Sequence, residues 1–180
     1  MHASRALLAV AAALVPTAAF ADGWYLDGRL GGAYYNDREG TQDDRDAAYS
    51  FAGGYRFGKF GVELGYADQG RLSTAYLIGD ADSEIDGVTL GVSARLPVSD
   101  RWHVDARAGA YLWDSSVDIS SSGPGVAFTD DGVDPYVGVG FGYDLGKRWS
   151  LGMHYDYYAV EADAFEYDSG VVSLGAEVRF

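Results

Sequence analysis

The sequence predicts an all-β fold, an eight-stranded antiparallel up-and-down transmembrane β-barrel. Three observations carry that prediction. Polar and apolar residues alternate with period two through eight segments, the mark of strands with two unlike faces. The links between those segments are by turns short and long, as in a barrel crossing a membrane. In the clearest segments the charges keep to one phase and the apolar residues to the other, so the cost of exposing charge to lipid decides which side faces out.

The elements begin after a leader. Arg5, the apolar run ALLAVAAALV, Pro16 and the triplet Ala19-Phe20-Ala21 have the layout of a secretory signal peptide with a small-x-small cleavage site. The run is too short to span a bilayer as a helix. Residues 1–21 are therefore expected to be removed, and residues 22–180 to form the barrel, starting at Asp22. A buried N-terminal helix is the competing reading.

Trp24–Tyr35 sets Leu26 and Leu30 in one phase against Asp27 and Arg29 in the other. The long link NDREGTQDDRD leads to Ala47–Phe57, and the tight link FGK to Phe60–Asp68, where Glu63 stands between Val62 and Leu64. After QGRLSTAYLIGDADSE comes Ile85–Leu96, and PVSDR turns the chain into Trp102–Trp113. SSVDISSSGPGVAFTDDGV then precedes Asp134–Leu145, which GKR joins to Trp149–Ala159. VEADAFEYDS leads to the last segment, Gly170–Phe180. Gly, Pro, Asp and Ser in the tight links suit hairpin turns. GYRFGK and GYDLGK repeat at the ends of two strands entering such turns.

The fifth segment settles the facing. One phase reads Trp102, Val104, Ala106, Ala108, Ala110, Leu112; the other reads His103, Asp105, Arg107, Gly109, Tyr111, Trp113. Turning the second phase outward would put Arg107 against lipid, at about 2–4 kcal/mol near the midplane. The rule places Asp27, Arg29, Arg56, Glu63, Arg95, Asp105, Arg107, Asp144, His154, Asp156, Glu177 and Arg179 inside, as a luminal polar network. Acids and arginines there are near balance and can pair. Small residues such as Gly138, Gly140 and Gly142 suit the narrow lumen of eight strands, which side chains fill.

Aromatic residues gather at both ends of the strands, as interfacial girdles do. Trp24, Phe57, Phe60, Trp102, Tyr143, Trp149 and Phe180 mark the short-turn end; Tyr34, Tyr49, Tyr66, Trp113, Tyr157 and Tyr158 mark the long-link end. A soluble sandwich or lipocalin-like barrel would reverse the two phases, apolar inside and charged outside.

With 13 Lys and Arg against 27 Asp and Glu, the net charge is −14, which disfavours nucleic acid and other polyanions as partners. There are no cysteines, so an exported chain of 180 residues relies on its core or on a membrane for stability. No segment offers about 18 consecutive apolar residues for a membrane helix.

ARLPVSDRWHVDARAGAYLWD and DPYVGVGFGYDLGKRWSLGMHYDYY resemble the middle hairpins of the OmpA-type transmembrane domain, and FAGGYRFGKFGVELGYAD is similar to its second hairpin. The resemblance covers essentially the whole chain after the leader. It implies an outer-membrane barrel, with Glu63 and Arg107 at positions where the family carries interior charges. It also implies a barrel-assembly signal in the outward phase of the last strand, Leu174, Ala176, Val178 and Phe180. The family's larger members continue into a peptidoglycan-binding domain, and with the chain ending at Phe180 wall tethering is not expected. Gly142 and Gly152 stand where the family's gate has charges on the sixth and seventh strands, so gating is not carried over.

Catalytic chemistry is poorly represented. A hydrolase needs a nucleophile beside a base, and only His103 and His154 follow the leader. His154-Tyr155-Asp156 lacks the His-x-Ser pattern of outer-membrane deacylases, and GVGFG has no helix after it to form a nucleotide loop. The acidic runs Asp80–Asp86 and Asp130–Asp134 miss EF-hand spacing and read as solvated loops, able at most to share cations with lipopolysaccharide phosphates.

The expectation is a monomeric barrel of the cell outer membrane, with no cofactor, no metal and no enzymatic activity. Its partners are outer-membrane lipid and lipopolysaccharide, and the barrel assembly machinery during biogenesis. The role is structural or surface-interacting through long acidic extracellular loops; the alternatives are a narrow ion-conducting pore and a lipid-modifying enzyme.

Overall fold

The structure, a computed structural model, describes residues 22–35, 45–76, 79–120, 126–162 and 165–180. Eight strands run in chain order: β1 (Gly23–Tyr35), β2 (Arg45–Phe57), β3 (Phe60–Tyr76), β4 (Gly79–Pro97), β5 (Trp102–Ser120), β6 (Val126–Asp144), β7 (Trp149–Ala162) and β8 (Phe165–Arg179). Each pairs antiparallel with its neighbours in sequence, and β8 returns to β1 to close the barrel. The leader at 1–21, with its cleavage site, and residues 36–44 of the first long link lie outside the described residues.

The closing seam runs from Tyr25 opposite Arg179 to Tyr35 opposite Ser169. Beyond it the Phe180 N–H donates to the Trp24 carbonyl at 3.0 Å. The alternating SLGAEVRF stretch therefore ends in a ladder, and the barrel has no free edge there.

At the short-turn end the strand limits match those read from sequence to within a residue or two. The FGK turn places Gly58 at φ 61°, a left-handed conformation that glycine takes without a Cβ penalty. Its N–H donates to the Asp22 carboxylate at 2.7 Å.

At the other end the expected long loops are instead largely extended hairpins. β3 and β4 stay paired out to Tyr76 and Gly79, and β5 and β6 out to Ile119 and Val126. Once two strands are aligned, continuing the ladder satisfies backbone N–H and C=O groups that a loop would leave to water. Stretches such as RLSTAY, with Thr and Tyr and no proline, suit that continuation. An irregularity between Asp68 and Arg71 marks where β3 leaves the regular register.

Facing follows the cost argument. Leu30 and Leu174 are 70% and 69% exposed on the outside, while Asp27, Arg29, Glu63, Arg107, Asp156 and Glu177 are buried inside. An apolar exterior of this extent, wrapped around a charged interior, excludes the soluble sandwich or lipocalin-like alternative. Two aromatic residues assigned to the long-link girdle belong elsewhere: Trp113 and Tyr158 are buried in the lumen. Their positions share the inward phase of Arg107 and Asp156, and in a narrow barrel that phase outweighs nearness to the interface.

Candidate functional site

The lumen is built in layers, each from residues of one phase on several strands. Nearest the short turns, Arg179 donates to Asp144 at 2.6 Å, and the His103 imidazole lies 3.7 Å from the same carboxylate. Above this rim Glu177 is the central acceptor. Arg56 donates to its two oxygens at 3.1 and 2.9 Å, and Arg95 at 2.7 and 3.0 Å. Arg95 also donates to Asp105 at 2.7 Å, which in turn lies 3.2 Å from His103. β8, β2 and β4 thus meet around one carboxylate, in the paired fork geometry that suits guanidinium to carboxylate, and β5 joins them through Asp105.

The next layer is centred on Asp156 of β7. Arg107 reaches it at 2.7 and 2.6 Å, and Arg29 at 3.2 Å, while Arg29 also pairs with Asp27. Glu63 accepts from the hydroxyls of Tyr25 at 2.9 Å and Tyr136 at 3.1 Å, and lies 3.7 Å from Arg107. The guanidinium of Arg56 sits 4.3 Å from the centre of the Tyr25 ring, a cation–π contact that braces the two layers.

Above the charges the lumen turns apolar. Tyr111, Trp113, Tyr136, Tyr158, Ile85 and Val171 cluster with Ala33, Ala48 and Ala67. The Tyr111 and Tyr136 rings each lie within 6 Å of Tyr158, at 4.9 and 5.8 Å between centroids. The Trp113 indole donates to Asp134 at 2.6 Å.

The twelve residues expected inside all face the lumen, and eleven of them enter this lattice of ion pairs and hydrogen bonds. His154 stands beside it, packed over glycines: a Cβ at Gly140 would come within 2.3 Å of its ring. Gly138 makes the same kind of room, since a Cβ there would lie 1.9 Å from an Asp156 oxygen. Gly142 on β6 faces His103, whose ring would lie 2.2 Å from an added Cβ. At Gly152 an added Cβ would come within 2.9 Å of His154.

Tyr25, Tyr136 and Tyr158 are luminal residues beyond those expected from the sequence, whereas His103 and Tyr111 lie in the phase of the fifth segment that the cost argument turns inward, and both are buried. The parity signal for each was present, because Tyr25 shares its phase with Asp27, and Tyr136 and Tyr158 share theirs with Gly138 and Asp156. The space left among Glu63, Arg95, Asp105 and His154 is about 30 Å³, room for a water or two.

Comparison with known proteins agrees with this architecture. Residues 3–180 match the family described as outer membrane protein beta-barrel domain. Outer membrane protein A of Serratia marcescens is 29% identical over 176 residues, which cover 87% of this chain and 49% of that protein. The chain thus spans about half the length of this relative. Among solved structures, Neisserial surface protein A superposes with a TM-score of 0.71 at 18% identity, over 88% of this chain and 97% of that one. Ail, the attachment invasion locus protein of Yersinia pestis, does so with a TM-score of 0.64 at 17% identity, over 88% and 99%. The chain belongs to the outer membrane protein beta-barrel domain family, and its place is the outer membrane of a Gram-negative cell.

Proposed function

We propose that this barrel has a structural role in the outer membrane, upholding its integrity, and that its long hairpins are a surface for interaction. The observation that carries the structural reading is the luminal lattice, in which Glu177 and Asp156 each draw arginines from two other strands across the bore. Such a lattice cross-braces the wall and fills the lumen. In this reading the short turns, with Lys59, Arg101 and Lys147, face the periplasm, and the hairpins beyond Asp68, Ile85, Trp113 and Asp134 face outward. The barrel works as a monomer, bedded in lipid and lipopolysaccharide. The outward phase of β8 and the residue that follows it (Leu174, Ala176, Val178 and Phe180) serve as the signal read by the assembly machinery.

The surface reading draws support from the solved relatives. Ail was solved in complex with the heparin analogue sucrose octasulfate, a polyanion. The present chain carries a strong acid excess, so its hairpins suit cationic partners instead. The histidines are taken up by packing: His103 lies between Asp105 and Asp144, and His154 over Gly140. That placement supports a non-catalytic role, and an altered lipid A mass profile in a deletion strain would contradict it.

A strain lacking the gene is expected to become sensitive to bile salts and polymyxin. Unchanged survival under both challenges would sink the integrity role. A narrow pore is the second reading, favoured by the polar space of about 30 Å³ between the Glu177 and Asp156 layers. Discrete conductance of the wild-type barrel in planar bilayers is the result that would promote it.

A further inference from the structure

The wall of the barrel does not continue evenly beyond its aromatic layer. β6 and β7 share their last rung at Tyr136 and Tyr158, yet β6 runs on from that rung up to Val126, and β7 on to Ala162. Along that extension β6 stays paired with β5, rung by rung, as far as Val126 opposite Ile119. β7 is taken up there by β8 alone, out to Ala162 opposite Phe165. The ladder stops at Pro135, which has no N–H to donate and is tolerated in strands only at edges and bulges. Among the described residues, β6 from Val126 to Val133 is therefore the edge strand of a sheet whose other members, β5, β4 and β3, rise beside it.

A strand edge is a template for another strand. Its charge selects the occupant. Asp131 on β6 lies opposite Asp114 on β5, Asp114 opposite Asp86 on β4, and Asp86 opposite Asp68 on β3. Asp114 and Asp131 are exposed, and both keep the outward phase of Leu112 and Val133. Like charges directly opposed across rungs repel, so a row of this kind favours positive charge brought alongside. A second copy of this chain would set Asp130 and Asp131 against the same carboxylates. An extended segment with Lys or Arg at alternate positions would place its cations on the carboxylate face, because alternate side chains share a face.

We propose that the edge of β6 from Val126 to Val133 is a docking site for an extended cationic peptide segment, added as a strand. Backbone hydrogen bonds supply the register, and Asp131 and Asp114 select the charge. The inference rests on the reading of these hairpins as an exposed surface, while the integrity role stands or falls separately on the deletion strain.

The test uses the refolded full chain in nanodiscs, its folding verified by a gel shift between unheated and boiled samples. The probe is a fluorescent peptide of about eight residues, an ordinary strand length, alternating Lys with Val. A matched peptide carries N-methyl groups on alternate amides, so that one strand edge cannot donate. Anisotropy is expected to report saturable binding of the first, loss of binding when the β6-facing amides are methylated, and retention when the opposite edge is methylated. Asp131→Asn with Asp114→Asn is expected to weaken binding about threefold or more, the scale on which exposed ion pairs contribute. Equal binding of both methylated peptides would overturn the proposal by reducing the effect to charge alone. Failure of the Lys peptide to bind the folded barrel, with or without self-association of the barrel, would overturn it too.

Discussion

Asp156 is held by arginines from opposite walls of the barrel, Arg107 on β5 and Arg29 on β1, and this sharing sets what a single substitution does. Removing one partner of a buried ion pair costs about 3–5 kcal/mol, because the remaining charge is left without compensation. In Arg107→Ala, Arg29 still faces Asp156, so the loss is expected near the lower end, about 3 kcal/mol. Urea unfolding in lipid vesicles, followed by tryptophan fluorescence, measures it; a loss under about 1 kcal/mol would mean that Asp156 is held by something other than its arginines. Gly138 gives a sharper case at the same spot. A Cβ there collides with the Asp156 carboxylate at 1.9 Å, so Gly138→Ala is expected to destabilise although it removes no interaction. If Gly138→Ala unfolds at the wild-type urea concentration, Gly138 is not packed against the Asp156 carboxylate.

Strands show where sequence patterning carries information and where it stops. In β5 and β8 the two phases differ so strongly in polarity that each luminal charge can be assigned residue by residue, and Arg107, Glu177 and Arg179 lie where the alternation puts them. The tyrosines were harder, because a ring with a hydroxyl is at home both at a lipid interface and in a polar lumen. Parity resolves them only when it is preferred over position along the strand, as Trp113 and Tyr158 show. The hairpin extensions were harder still: the continuation of β3 through β6 depends on a neighbour already in register, which no local run of residues records. The lipid-facing phase allows a direct test. Leu174 is 69% exposed and lies between Leu30 and Met153 on the neighbouring strands. Leu174→Arg is expected to cost about 2–4 kcal/mol in vesicles, whereas the same charge at a rim position costs about 0–1 kcal/mol. Equal costs at the two depths would place β8 outside the hydrocarbon band.

For the molecule as a whole, closure and filling are separate achievements. The β1–β8 seam closes the wall, but an eight-stranded wall still encloses a bore, and here the ion-pair lattice fills it. Glu177 is the critical member, because it is the acceptor shared by Arg56 and Arg95 from two different strands. The lattice predicts that the wild-type barrel gives no discrete conductance in planar bilayers. Glu177→Ala removes the clasp and leaves Arg56 without its carboxylate, while Arg95 keeps Asp105 at 2.7 Å. The bore then has more space and one negative charge fewer. Openings that favour anions over cations are therefore expected in Glu177→Ala, with the barrel still shifting on an unheated gel because its backbone ladders are unchanged. Two results would contradict this account: wild-type conductance equal to that of the variant, or a folded variant that stays silent at every voltage. The first would mean that the lattice never sealed the bore. The second would assign the seal to the aromatic layer of Tyr111, Tyr136 and Tyr158 above it, and would move the search for a gate to those rings.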